Sequence, residues 1–211
     1  KSLEHYCSCR FDSGPRYNMA FNFHIRMINK IVLTLSLSIF SSCIYFNTFY
    51  NAKESFKQAQ HIIDIKDYRE TELPAQAKSL LDESIINSRI ILEKHPDSKY
   101  VEEAYYIIAV SMFLKEDYIG SKEKLKILIS NFPSGKYFNE SKLWLSLCEL
   151  RSDNLNESEL IINNLSINKE LNKYEKYLLS QIYAEISSLQ NDTEEVYKYY
   201  REALKFTSTD R

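Results

Sequence analysis

The sequence predicts an all-α fold of about four antiparallel helix pairs, on three observations. Only three Gly and four Pro occur in 211 residues, too few for the many turns of a sheet protein. Apolar residues recur at helical spacing between breakers, and no alternating strand-like run of useful length occurs. The chain also matches itself 37 residues apart. HPDSKYVEEAYYIIAVSMF from His95 and FPSGKYFNESKLWLSLCEL from Phe132 place Pro96 over Pro133, Lys99 over Lys136, Tyr100 over Tyr137 and Ala104 over Ser141. Such a period marks stacked helix pairs, because one pair cannot bury its apolar face alone.

Eight helices are expected in order: Thr48–Ile63, Pro74–Lys94, Tyr100–Leu114, Ile119–Asn131, Phe138–Arg151, Asn156–Leu165, Glu170–Leu189 and Thr193–Phe206. A stretched loop around Ile65–Leu73 parts the first two. Pro74 opens the second helix, where a missing N–H costs nothing. Pro96 and Pro133 follow helix ends and stop propagation. Asp97-Ser98 and Ser134-Gly135 then supply the turns. Asp192 stands as N-cap of the last helix.

The spacing of small residues resembles the tetratricopeptide repeat. With Ala109 at the small position of a first helix, Ser121 falls at that of the second, Leu125 at the large apolar position and Leu128 where the family usually has Ala. Pro133 ends the unit. Ser146, Ser158, Ile162 and Leu165 hold the equivalent places next, then Ala184, Val196, Tyr200 and Ala203. Ser84, Ser88, Ile91 and Pro96 fit the second half of a first unit. The resemblance covers about residues 52–205 and implies a tetratricopeptide-like helical-hairpin solenoid. An unrelated helical bundle is the alternative.

In that family the first helix of each pair lines a concave surface. The resemblance puts Glu103, Tyr106, Val110 and Phe113 there, then Glu140, Leu143, Leu147 and Leu150. Leu178, Gln181 and Glu185 complete it. A half-apolar, acid-edged groove suits an extended or helical peptide. Tyr105, Tyr106, Phe113 and Trp144 read first as core and second as groove.

The other end of the chain is an address. Met27-Ile28-Asn29-Lys30 precedes the apolar stretch Ile31–Phe40, and Ser41-Ser42-Cys43 follows, which is the layout of a secretory signal. The apolar run falls short of the ~20 residues that a spanning helix needs. Small residues before a Cys resemble the lipobox of bacterial lipoproteins, with Phe40 where the family favours Leu. The resemblance implies cleavage before Cys43 and lipid on its thiol and amino group, each buried CH2 contributing roughly 0.8 kcal/mol of anchoring. A plain cleaved signal or a buried cysteine is the alternative. The expected organisation is an upstream extension over 1–26, which lacks an initiating Met, a signal over 27–42 and a repeat domain over 43–211. Ile44 after the Cys, where inner-membrane retention uses Asp, implies the periplasmic face of the outer membrane.

Little of the chemistry inventory points to an enzyme. The formal charge is −2; residues 1–42 hold five basic and two acidic residues, leaving −5 for the rest. No basic stripe suggests nucleic acid. Cysteines at 7, 9, 43 and 148 are too few and scattered for a disulfide framework. Cys7-Ser8-Cys9 with His5 crowds three ligands into five residues, a poor zinc site. His61 reads as a surface or boundary residue, and His95 as a partner of the last helix carbonyls. Glycines at 14, 120 and 135 build no phosphate loop, and no hydrolase motif occurs. Cys148, between Leu147 and Leu150, reads as a buried inert thiol. No cofactor, metal or catalytic residue is expected.

Taken together, lipobox, YNAKESFKQA and repeats carrying PDSKY-xxEA resemble the tetratricopeptide lipoproteins of the outer-membrane β-barrel assembly machinery. That family usually carries five repeats, against about four here. The resemblance implies a lipid-anchored scaffold whose partners are envelope proteins: the barrel-assembly channel and unfolded barrel clients. The alternative is an adaptor in cell-envelope division or peptidoglycan maintenance, whose members often carry a coiled coil before the repeats; no heptad run precedes residue 95.

Overall fold

The computed structural model describes residues 26–28, 30, 32, 47–63, 72–167 and 170–206. The chain divides into two units, Lys1–Tyr45 and Phe46–Arg211. In the first, residues 26–28, 30 and 32 are helical and exposed. Among the described residues no strand occurs, and no helix is long and apolar enough to cross a membrane.

The second unit is all-α. Its helices are α1 (47–63), α2 (Ala75–Lys94), α3 (Val101–Leu114), α4 (Tyr118–Asn131), α5 (Phe138–Arg151), α6 (Leu155–Ser166), α7 (Lys173–Leu189) and α8 (Thr193–Phe206). From α2 onward each helix packs on the next, and α5 also touches α3 and α7. Seven of the eight expected starts lie within one residue of those observed. The exception is α7, which begins at Lys173 rather than Glu170. A capping box sets that start: Glu175 N–H donates to the Asn172 side chain (2.9 Å), and Asn172 N–H donates back to the Glu175 carboxylate (2.7 Å). Two helix-end donors are thereby satisfied at once.

The turns inside successive hairpins are alike. Glu116, Asp153 and Asn191 each sit in the left-handed region (φ 66°, 58° and 60°) just past an odd-numbered helix. The next N–H, of Asp117, Asn154 and Asp192, reaches back to a carbonyl five residues earlier, at 2.9 Å in all three. This is the Schellman closure, which satisfies helix-end carbonyls in a tight reversal. Asp117 and Asp192 then cap the following helix, accepting from Gly120 N–H (2.9 Å) and Glu195 N–H (3.1 Å).

The connections between hairpins repeat as well. Around Pro96 and Pro133 the same four backbone bonds recur in register, ending with Ala104 N–H to Tyr100 O and Ser141 N–H to Tyr137 O, both 2.8 Å. Gly135 is the point where this turn meets α3. An added Cβ would collide with a Glu102 carboxylate oxygen, and that carboxylate accepts from Tyr137 N–H at 2.7 Å.

Short side chains let the helices cross closely. Ala52, Ala109, Ser121, Ser146, Ser158 and Ala184 are all fully buried. A buried hydroxyl costs free energy unless it is paired, and several buried serines on these helices are paired. Ser146 and Ser158 share a hydrogen bond of 2.7 Å across α5 and α6, and Ser84 and Ser111 one of 2.9 Å across α2 and α3. Thirty-seven residues after that second pair, the Cys148 thiol donates to Ser121 Oγ at 3.4 Å.

Candidate functional site

The odd-numbered helices α3, α5 and α7 carry the residues expected to line a groove, and α1 is the odd helix before them. Side chains join these helices edge to edge. Phe49 of α1 stacks on Tyr100 (ring centroids 4.1 Å apart), and Tyr106 of α3 stacks on Tyr137 (4.3 Å). Phe49 and Tyr106 each lie three residues before a buried alanine, Ala52 or Ala109. Each tyrosine also receives its neighbouring lysine over the ring, Lys99 at 5.0 Å and Lys136 at 4.8 Å. The Lys-Tyr self-match therefore has a physical cause: in the α3–α4 and α5–α6 hairpins the tyrosine docks the hairpin onto the aromatic of the preceding odd helix.

Further along, Phe56 meets Tyr106 edge-on (6.4 Å), and Phe113 meets Trp144 (5.0 Å). Lys53 pairs with Glu103 at 2.8 Å, and Arg151 of α5 pairs with Glu185 of α7. The Tyr106 hydroxyl donates to Glu140 at 2.8 Å. Burial first, then the charges of Tyr174 and Glu140, raise the Tyr106 hydroxyl well above the ordinary phenol range, so it stays a donor.

These contacts involve the residues expected to line a groove. Tyr106, Val110, Phe113, Leu143, Leu147, Leu150 and Leu178 are buried. An anchor must be reachable by its partner, and these seven are held by the chain's own helices. The polar members are engaged too: Glu103 by Lys53, Glu140 by Tyr106, Glu185 by Arg151, and Gln181 by donating to the Tyr177 hydroxyl at 2.7 Å. The repeat resemblance implied an open side for these residues. It did not register how closely adjacent odd helices lie.

Glu140 offers a pH test of this packing. Burial raises its carboxyl; the Tyr106 hydrogen bond and Lys136 oppose the shift, and Glu175 adds to it. A folded-state value above the unfolded one favours the protonated form in the fold. The resulting stability is full below the ordinary carboxylate range, near 4.3, and is lost as pH rises through the raised folded value. Glu140→Gln keeps an acceptor for Tyr106 and removes the charge. The variant should gain stability relative to the wild type as pH rises from about 4 to 7. Parallel pH dependence of the two melting temperatures would refute this. Glu149 does not confound the comparison, since it acts in both proteins. Burial opposes its ionisation, but Lys122 (2.6 Å) and Asn154 (3.0 Å) outweigh that and hold it below the usual range.

Of the remaining sequence candidates, His61 is exposed on α1 and Cys148 is fully buried. Burial pushes the Cys148 thiol up to about 11 despite the Ser121 contact, which leaves almost no thiolate at neutral pH. Among the described residues no cluster of His, Cys, Asp and Glu is placed to hold a metal. Cys43 lies outside the described residues, as do Cys7, Cys9 and His5. No known family model matches the chain, and no curated protein matches it significantly.

Proposed function

We propose that this chain is a non-enzymatic scaffold of the tetratricopeptide type, lipid-anchored at Cys43 to the periplasmic face of a bacterial outer membrane, where it holds partner proteins of β-barrel assembly. The observation that supports the scaffold reading is the recurrence of one hairpin unit. The left-handed turn residue, the capping position after it and the tyrosine-bearing connection return in register. Units that contact mainly their neighbours add surface in proportion to their number, which suits a protein whose work is holding others. The envelope part of the reading rests on the apolar run ending in Ser41-Ser42-Cys43 and on Ile44 after it.

Two measurements test the reading separately. Mass spectrometry of the protein isolated from membranes should find a lipid-modified peptide that starts at Cys43. An unmodified peptide spanning Ser42 and Cys43 in the mature protein would remove the anchor. Affinity purification from detergent-solubilised envelopes should enrich the barrel-assembly channel. Enrichment of division or peptidoglycan proteins in its place would transfer the scaffold to envelope maintenance.

A further inference from the structure

The outer side of α8 repeats a docking face that is occupied everywhere else it can be traced. The left-handed turns at Glu116 and Asn191 set α4 and α8 in register, 75 residues apart. Val196 and Tyr197 then stand where α4 carries Ser121 and Lys122. In α4 those two residues meet the following helix: Ser121 accepts from Cys148, and Lys122 donates to Glu149 at 2.6 Å. In α8 no described helix takes that place; among α2–α8, α8 packs on α7. Tyr197 and Leu204, seven residues apart and so nearly on one face, are each 68% exposed. Val196 and Tyr200 continue the stripe, half-buried.

We infer that this face seats an amphipathic helix of a partner protein, apolar along its seam and acidic on its flank. The charge beside the stripe selects the occupant. Glu194, Lys198, Arg201 and Lys205 form the adjoining exposed row at helical spacing, and three of the four are basic. Lys198 is already paired with Glu195 at 2.8 Å, so Arg201 and Lys205 carry most of the selection. The chain's own α4–α5 contact uses the same polarity, a lysine on the even helix and a glutamate on the helix that covers it.

A second copy fits less well. Two α8 helices paired antiparallel would bring their basic rows side by side, and like charges close together destabilise. End-to-end stacking would bury Asn51 and Glu54 of α1, which stand where α3 has the buried Ile108 and Ser111 when Ala52 is set on Ala109.

The inference deepens the scaffold reading by naming one of its surfaces, and its test needs no lipid or membrane. The probe is a fluorescein-labelled synthetic helix of 21 residues, with leucine along one seam, alanine at its midpoint and glutamate on both flanks. Its control carries lysine in place of glutamate. Fluorescence anisotropy with the full chain should show saturable binding, at least tenfold tighter for the glutamate peptide. Leu204→Glu and Tyr197→Ser, both at exposed positions, should weaken it at least tenfold with unchanged thermal unfolding. Arg201→Glu should narrow the preference between the two peptides. Equal affinity for both peptides, or undiminished binding by the Leu204→Glu protein, overturns the inference. So does concentration-dependent self-association abolished by Leu204→Glu, which would assign the face to a second copy. Failure here, with the barrel-assembly channel still enriched from envelopes, would leave the scaffold reading standing.

Discussion

Phe113→Ala is expected to lower the free energy of unfolding by about 3–5 kcal/mol, the usual cost of emptying a buried aromatic site. The ring is 5% exposed and meets Trp144 of α5 at 5.0 Å and Tyr118 of α4 at 5.3 Å, both edge-on. It therefore joins three helices. Edge-to-face pairs add about 0.5–1.5 kcal/mol beyond the area they bury, and both pairs vanish with the ring. Urea unfolding should show a lower midpoint with an unchanged slope, since the surface exposed on unfolding is nearly the same. From the sequence Phe113 reads first as core and second as a groove anchor implied by the repeat resemblance. If Phe113→Ser leaves unfolding unchanged but weakens capture of an envelope partner, the groove reading returns and the core reading fails.

Ala109→Leu should cost about 1–3 kcal/mol through overpacking. Ala109 is fully buried, as is Ser121 on α4, its counterpart in the hairpin. One repeat later the equivalent residues are Ser146 and Ser158, whose Oγ atoms lie 2.7 Å apart. At that crossing two side chains of a single heavy atom beyond Cβ already touch. A leucine at Ala109 has three more heavy atoms than the alanine it replaces, so α3 and α4 would have to separate or the side chain leave its rotamer. Unchanged thermal stability would mean that the register joining Ala109 to Ser146 is mistaken. Ala109→Gly is a useful control, since it leaves the crossing open and costs mainly helix propensity, about 1 kcal/mol.

The helices were legible because their ends are local events. Pro74, Pro96, Pro133 and Asp192 act within a turn of where they stand, and the apolar spacing between them selects helix over strand. The one start that was missed, at Lys173, depends on a reciprocal bond between Asn172 and Glu175. That signal is also local, and the Asn-x-x-Glu spacing was present to be read. The hairpin turns were harder. They place Glu116 in the left-handed region, where Gly or Asn is the usual occupant, so residue type gave no cue there.

By itself the sequence determined an all-α chain, the order and approximate extent of its helices, and a 37-residue self-match whose small residues are buried. Only the tertiary structure decided which helix faces stay open. Tyr106 and Val110 share one side of α3, and Leu143 stands on α5, at positions that spacing alone cannot distinguish from a solvent-facing groove. Their burial depends on the lateral approach of neighbouring odd helices, made through the stacks of Phe49 on Tyr100 and Tyr106 on Tyr137 and through pairs such as Lys53 with Glu103. Tyr197 and Leu204, by contrast, read as ordinary members of an amphipathic helix and are largely exposed. Helix formation follows from residues three or four apart, whereas exposure follows from what lies across a contact, and among α2–α8 only α7 packs against α8.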